Sequence, residues 1–139
     1  ICISPESVDI FSVNMDTEIY PGFPTDLQAQ WMAYMTQARD SSIIVENIYM
    51  DRFTHIGELL RLGANIKLTN NIAHVKGNRK LVAAPVMSTD IRASASLIIA
   101  ALVAKGTTEI SRIYHIDRGY EKIEEKVKKM NVKINRFNG

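Results

Sequence analysis

The chain carries one motif twice, and a duplicated motif constrains a fold more than any single predicted helix or strand. "PTDLQAQ", with Asp26, recurs 64 residues later as "STDIRAS", with Asp90. Downstream of each, a predicted strand leads to an Asp-Arg pair: Asp51–Arg52 in "MDRF" and Asp117–Arg118 in "HIDRGY". A helix follows each pair and ends near "RLGANIKL" or "KKMNVKIN", both of which read as strand entries. The chain is therefore two copies of one unit, over about residues 1–77 and 78–139.

In the first unit, the pattern predicts a helix over 26–39, a strand over 42–48 and a helix over 54–62. A hairpin then runs through "ANIKLTNNIAHVKG", turning at Asn70–Asn71. The second unit has a helix over 90–104 closed by Gly106, a strand "TTEISRI", a helix over 120–130 and a last strand "VKINRF". "IFSVNMDTEIY" and "RKLVAAPVM" supply the leading strands, and "ICIS" reads as another. Cys2, the only cysteine, reads as a small buried strand residue rather than a nucleophile. Strands alternating with helices define an α/β (α+β) class.

The helices of a unit differ in kind. The one after Asp90 is apolar nearly all round (Ile91, Ala93, Ala95, then Leu97 to Ala104), the mark of a helix buried on all sides. In the first unit, Leu27, Trp31, Met32, Tyr34 and Met35 should likewise face inward. The helix after Gly119 instead lines Tyr120, Ile123, Val127 and Met130 on one face and fills the other with Glu and Lys.

Asp26, Arg52, Arg92 and Arg118 all stand at or just before predicted helix starts. A helix N-terminus has free N–H groups and a positive dipole end, so it attracts anions and disfavours a cation by about 0.3–1 kcal/mol. Arginine there makes sense if an anion is bound, since its planar fork suits phosphate and carboxylate. Small residues around Arg92 (Ala93, Ser94, Ala95, Ser96) would let a ligand approach the helix closely. The plainer alternative stays open: the aspartates cap their helices and the arginines point to solvent.

A net charge of +2, with no block of like charges, argues against a nucleic-acid partner. The longest apolar run, Leu97–Ala104, falls far short of the roughly 20 residues of a membrane span, and no secretory signal is present. His55, His74 and His115 match no metal-site spacing, and no Gly-rich phosphate loop or serine elbow occurs. No cofactor is implied.

"YPGFPTDLQAQ", "DRFTHIGELLRLGANI" and "TDIRASASLIIAALVAKGTTEISRIYHIDRGYEKIEEKVKKM" resemble the C-terminal third of the enolpyruvyl transferases that act on UDP-N-acetylglucosamine. The resemblance implies an inside-out α/β barrel, with repeated units placing helices inside and sheet outside, of which this chain is a partial domain. It implies transfer of the enolpyruvyl group of phosphoenolpyruvate to the sugar 3′-hydroxyl with release of phosphate. That is the first committed step of peptidoglycan, and so of cell-wall, synthesis in the cytoplasm. Partners would be phosphoenolpyruvate, UDP-N-acetylglucosamine and the rest of the same polypeptide.

Carried over by residue, the resemblance makes Asp26 the carboxylate at the sugar hydroxyl and a candidate general base. Ile48 would contact the nucleotide sugar, and Arg118 would bind phosphoenolpyruvate. Arg52 and Arg92 would add positive field, and Asp90 would orient the network or relay a proton. The family's reactive loop cysteine and its N-terminal lysine and asparagine have no counterpart here, and Cys2 does not inherit that role. Asn131 stands where a glycine is usual, and Asp51 where asparagine is commoner. A chain with half the cleft is expected to be inactive alone. The alternatives are the related shikimate-pathway transferase and a non-catalytic binding module built on the same repeat.

Overall fold

Two strand–helix–strand crossovers, one in each half of the sequence, organise the chain. The computed structural model describes residues 9–137, so the strand and the Cys2 burial expected at the extreme N-terminus lie outside the described residues. The first crossover is β1 (Met15–Asp16), α1 (Gln28–Met35) and β2 (Ser41–Val45), with β1 and β2 parallel. The second is β5 (Pro85–Met87), α3 (Ile91–Val103) and β6 (Glu109–Ser111), again with parallel strands. Between them lie α2 (Ile56–Arg61) and the hairpin β3 (Asn65–Thr69) and β4 (Ile72–Lys76). The second crossover is followed by α4 (Tyr114–Asp117) and α5 (Ile123–Lys128).

The larger sheet has the order β1-β2-β4-β3, because the hairpin folds back antiparallel onto β2. The hairpin turns at Asn70, whose φ of 54° a short polar side chain tolerates. Helices α1 and α3 pack on each other beside the sheets. The core around them holds Met32, Met35, Ile44, Leu59, Leu62, Val75, Leu81 and Leu97, each at most 1 % exposed. Burying side chains of this size is worth roughly 1.5–3 kcal/mol apiece. Ala93, Ser94, Ala95, Ser96 and Ala100 are buried in α3, small residues covered on more than one side of the helix. Ser94 and Ser96 donate hydrogen bonds to the carbonyls of Asp90 and Ala93.

Several expectations need correction. The helix expected over 26–39 opens as a 3-10 turn, Thr25–Leu27, and α1 itself ends at Met35. There Thr36 donates its hydroxyl to the Ala33 carbonyl at 2.6 Å and the chain turns away. Leu27 and Tyr34 are 48 % and 42 % exposed, so they do not belong to the buried face. The C-terminal turn of α3 is also open, with Leu102 and Val103 exposed. The small residues of α3 serve helix packing rather than ligand approach.

The strand expected over 107–113 shortens to Glu109–Ser111, "YHID" forms the unforeseen α4, and Lys122, at φ 46°, starts α5 three residues later than expected. Residues 132–137 form no strand; Arg136 ties this arm back to Asp117 and Glu124. The charged face of α5 is solvated as expected, and Asn131 takes the left-handed conformation at φ 61°.

Candidate functional site

The entries to α1 and α3 meet through side chains. Asp90 is the N-cap of α3: its Oδ1 accepts from the backbone N–H of Arg92 at 2.8 Å and of Ala93 at 3.0 Å. Its Oδ2 accepts from the hydroxyls of Thr54 and Thr89, each at 3.3 Å. Burial pushes the Asp90 carboxyl upward, but these donors outweigh it and hold the group below the usual carboxylate range.

With its amide occupied by Asp90, Arg92 sends its side chain across to the 3-10 turn that precedes α1. Its Nε donates to Asp26 Oδ1 at 2.6 Å, and Arg52 Nη1 donates to the same oxygen at 2.5 Å. The Arg52 guanidinium also lies over the Tyr49 ring, 5.2 Å from its centroid. Hydrogen bonds from Arg92 first, then Arg52, lower the Asp26 pKa. Two guanidiniums on one carboxylate leave a net positive charge. Each commits a single nitrogen to Asp26, so most of its N–H donors are available to an anion.

Arg118 is placed differently. It ends α4 rather than opening a helix, is exposed, and makes no ion pair among the described residues. Its neighbour Gly119 packs on Ile91, the first residue of α3; a Cβ there would stand 2.3 Å from Ile91 Cδ1. That close approach brings the Arg118 turn against the end of α3 that carries Arg92. Arg52 also departs from expectation, lying in a turn four residues before α2 begins. Of the three arginines, Arg92 alone sits in the first turn of a helix.

Ile48 is exposed, and its amide donates to Glu46 Oε1 at 3.0 Å. Asp51 is exposed next to Arg52. Asp26 does not cap α1, so the plain reading of that residue as a cap fails. For Asp90 the cap is real.

Two buried titratable residues near these loops had been given no role by the sequence. Glu46, one residue past the end of β2, is fully buried behind the Asp26 and Ile48 loops, and its neighbours Val45 and Asn47 give no local signal of that burial. His55, 1 % exposed, has its Nε2 buried without a hydrogen-bond partner among the described residues. Burial lowers its pKa to about 4, against the opposing pull of Asp90 and the Arg52 backbone.

This combination of paired crossovers, packed helices and two arginines gathered on one aspartate defines a member of a known fold class. The profile of the EPSP synthase (3-phosphoshikimate 1-carboxyvinyltransferase) family matches residues 1–127, and the chain belongs to that family. Within it, the chain is 59 % identical over 124 residues to the UDP-N-acetylglucosamine 1-carboxyvinyltransferase of Chlorobium phaeovibrioides, covering 89 % of this chain and 29 % of that protein. It is 56 % identical over 129 residues to the enzyme of the same name from Campylobacter jejuni, covering 93 % and 31 %. The chain thus spans about 30 % of the length of these curated relatives.

Among solved structures, the enolpyruvyl transferase NikO from Streptomyces tendae superposes with a TM-score of 0.81 at 25 % identity, over 91 % of this chain and 29 % of that one. An EPSP synthase from Acinetobacter baumannii shares the fold with a TM-score of 0.57 at 13 % identity, over 72 % and 23 %. Among the described residues, no helix is long and apolar enough to cross a membrane.

Proposed function

We propose that this chain supplies one wall of the active site of an enzyme that transfers the enolpyruvyl group of phosphoenolpyruvate to the 3′-hydroxyl of UDP-N-acetylglucosamine, releasing phosphate. The observation that carries this reading is the convergence of Arg52 and Arg92 on Asp26. Both substrates are anions, and charge moves during addition and elimination, so a fixed cation cluster around a carboxylate suits the chemistry.

On this reading Asp26 meets the sugar hydroxyl and acts as general base. Anionic substrate drawing on Arg92 and Arg52 would relieve the grip that lowers the Asp26 pKa, making it a better base when substrate is bound. Arg118, with its guanidinium uncommitted among the described residues, binds phosphoenolpyruvate. Ile48 contacts the nucleotide sugar, and Asp90 orients the α3 entry and, through it, Arg92. The chain is two repeat units, about 1–77 and 78–139, of a domain completed by the rest of the same polypeptide. The reaction would be cytoplasmic and the first committed step of peptidoglycan, hence cell-wall, synthesis.

The matching family profile bears the name of the shikimate-pathway enzyme, which makes 3-phosphoshikimate the alternative acceptor. Identities of 54–59 % to relatives named for UDP-N-acetylglucosamine favour the nucleotide sugar. Phosphate release from phosphoenolpyruvate by the full-length gene product tests the choice. Turnover is expected with UDP-N-acetylglucosamine and not with shikimate 3-phosphate; the reverse result sinks the reading. The 139-residue chain alone is expected to give no turnover.

A further inference from the structure

Glu46 is a fully buried carboxylate that joins no ion pair among the described residues. A carboxylate in that setting persists only if hydrogen-bond donors replace its water. Its Oε1 accepts from the Thr17 hydroxyl at 2.8 Å and from the backbone N–H groups of Ile48 and Tyr49, each at 3.0 Å. Its Oε2 accepts from the Thr25 hydroxyl at 2.9 Å. The Glu46 backbone is itself fixed: its N–H donates to the Asn71 carbonyl and its carbonyl accepts from Asn71 Nδ2.

The identity of the donors matters more than their number. Thr25 directly precedes Asp26. Ile48 is the candidate sugar contact, and Tyr49 carries the ring under the Arg52 guanidinium. One carboxylate therefore pins two separate loops, each holding half of the Asp26–Arg52 pair.

We propose that Glu46 is a positioning residue for the site: by holding the Thr25 hydroxyl and the Ile48 and Tyr49 amides at once, it sets how Asp26 faces Arg52. This rests on the reading given under Proposed function. The base of the first loop is tied to the second by the Asn47 amide on the Thr17 hydroxyl, but the parts that carry Asp26 and Arg52 meet through the side-chain pair itself, and a misplacement of about 1 Å in such a site is worth on the order of 10²-fold in rate. The device works by hydrogen-bond geometry rather than by charge. A glutamine could place its carbonyl at Oε1 to accept the same three bonds. Its amide at Oε2 would then donate to Thr25, whose hydroxyl can accept as well as donate.

The test uses three variants of the full-length gene product: Thr25→Val, Glu46→Gln and Glu46→Leu. Turnover numbers, KM values and thermal midpoints are measured for each. Thr25→Val is expected to lower kcat about tenfold at nearly unchanged midpoint, and Glu46→Leu by on the order of 10²-fold. Glu46→Gln should retain kcat within about threefold. Wild-type kcat in Thr25→Val, or a Glu46→Gln no better than Glu46→Leu, overturns the proposal. Should Glu46→Leu fail to fold, Thr25→Val decides.

If the wild-type protein proves to have no enolpyruvyl transferase activity, Proposed function fails separately, and the positioning role is then read from carboxyl-labelled aspartate by NMR. Thr25→Val is expected to raise the Asp26 titration midpoint towards that of an ordinary aspartate. An unmoved midpoint overturns the proposal.

Discussion

The same dipeptide, Asp-Arg, stands in both halves of the chain, and the two copies tie down opposite members. In the first, Arg52 is held by Asp26 at 2.5 Å while Asp51 is exposed. In the second, Asp117 is held by both terminal nitrogens of Arg136, at 3.0 and 2.7 Å, while Arg118 is exposed without an ion pair among the described residues. The dipeptide therefore does not encode a role; a distant residue does, by choosing which member to engage. An arginine gripped by a carboxylate gives up part of its donor fork. One whose neighbouring aspartate is already occupied offers a ligand the whole of it.

The sharpest way to break this comparison is to remove the two arginines in turn. On the proposed activity, Arg118→Ala in the full-length protein should lower kcat/KM by about 10²–10³, roughly 2.7–4 kcal/mol of transition-state stabilisation. Its melting temperature should stay near the wild-type value, because no ion-pair partner among the described residues is left behind. Arg52→Ala should lower both quantities, since it also releases Asp26 and uncovers the Tyr49 ring. Equal melting shifts for the two variants would erase the distinction.

A second difference lies three residues beyond each arginine: buried His55 in the first copy, exposed Glu121 in the second. The His55 pKa is lowered from 6.5 to about 4 by burial, so the unfolded chain binds the proton first as pH falls. Stability is thus fully present above about pH 6.5 and is lost progressively down to about pH 4, by up to about 3 kcal/mol. The lowered carboxyls of Asp90 and Glu46 add further loss in the same direction at the acid end. Urea melts at pH 7 and pH 4.5, with hydrogen exchange to locate the opening, check this. The region around α2 should loosen before α5 does. A His55→Gln variant should flatten the slope.

How much of this could be read from residues alone differs by level. The duplicated Asp motif led to the paired crossovers and to the helices between them, and the apolar run Leu97–Ala104 marked α3, although only Leu97 and Ala100 of that run are buried. The hairpin at Asn70 was equally legible from its turn residues. The site was legible as a set of charges, but not as a set of pairs. Nothing local says that Arg92 reaches a carboxylate 66 residues away, or that Arg136 takes Asp117. Glu46 was missed for a physical reason: a glutamate beside an asparagine at a strand end looks like a polar boundary. Only the fold brings four donors around it.

The repeated aspartates differ as the arginines do. Asp90 caps α3 with two backbone bonds and two hydroxyls, whereas Asp26 caps nothing and is 63 % exposed in its side chain. Asp90→Ala should therefore destabilise the protein by about 1–2 kcal/mol, the usual effect of losing such a cap. Asp26→Ala should cost less than about 1 kcal/mol, since its ion pairs are solvent-screened, while its effect on turnover is the larger of the two. Paired chemical melts and phosphate-release rates separate the two outcomes, and a reversed ranking in stability would show that the 3-10 entry to α1 depends on Asp26 after all.

The smallest expected effect concerns Arg136. Its contact with Asp117 is bidentate and extends to Glu124 at 3.1 Å, the geometry in which a surface pair contributes most. Against that, the Arg136 and Asp117 side chains are 31 % and 41 % exposed, and an exposed pair is typically worth 0.2–1 kcal/mol. The segment it anchors has no strand partner, so little cooperative structure is lost with it. Arg136→Ala should then lower stability by about 0.5 kcal/mol at low salt, a difference that shrinks at about 1 M salt as the Debye length falls to near 3 Å. Turnover should change by no more than about twofold, because adjacent residues diverge on a helix end and freed Asp117 cannot fold back onto Arg118. A tenfold loss with Arg136→Ala would mean that the clamp on Asp117 also holds Arg118 in place. The second copy would then be as tightly tied as the first.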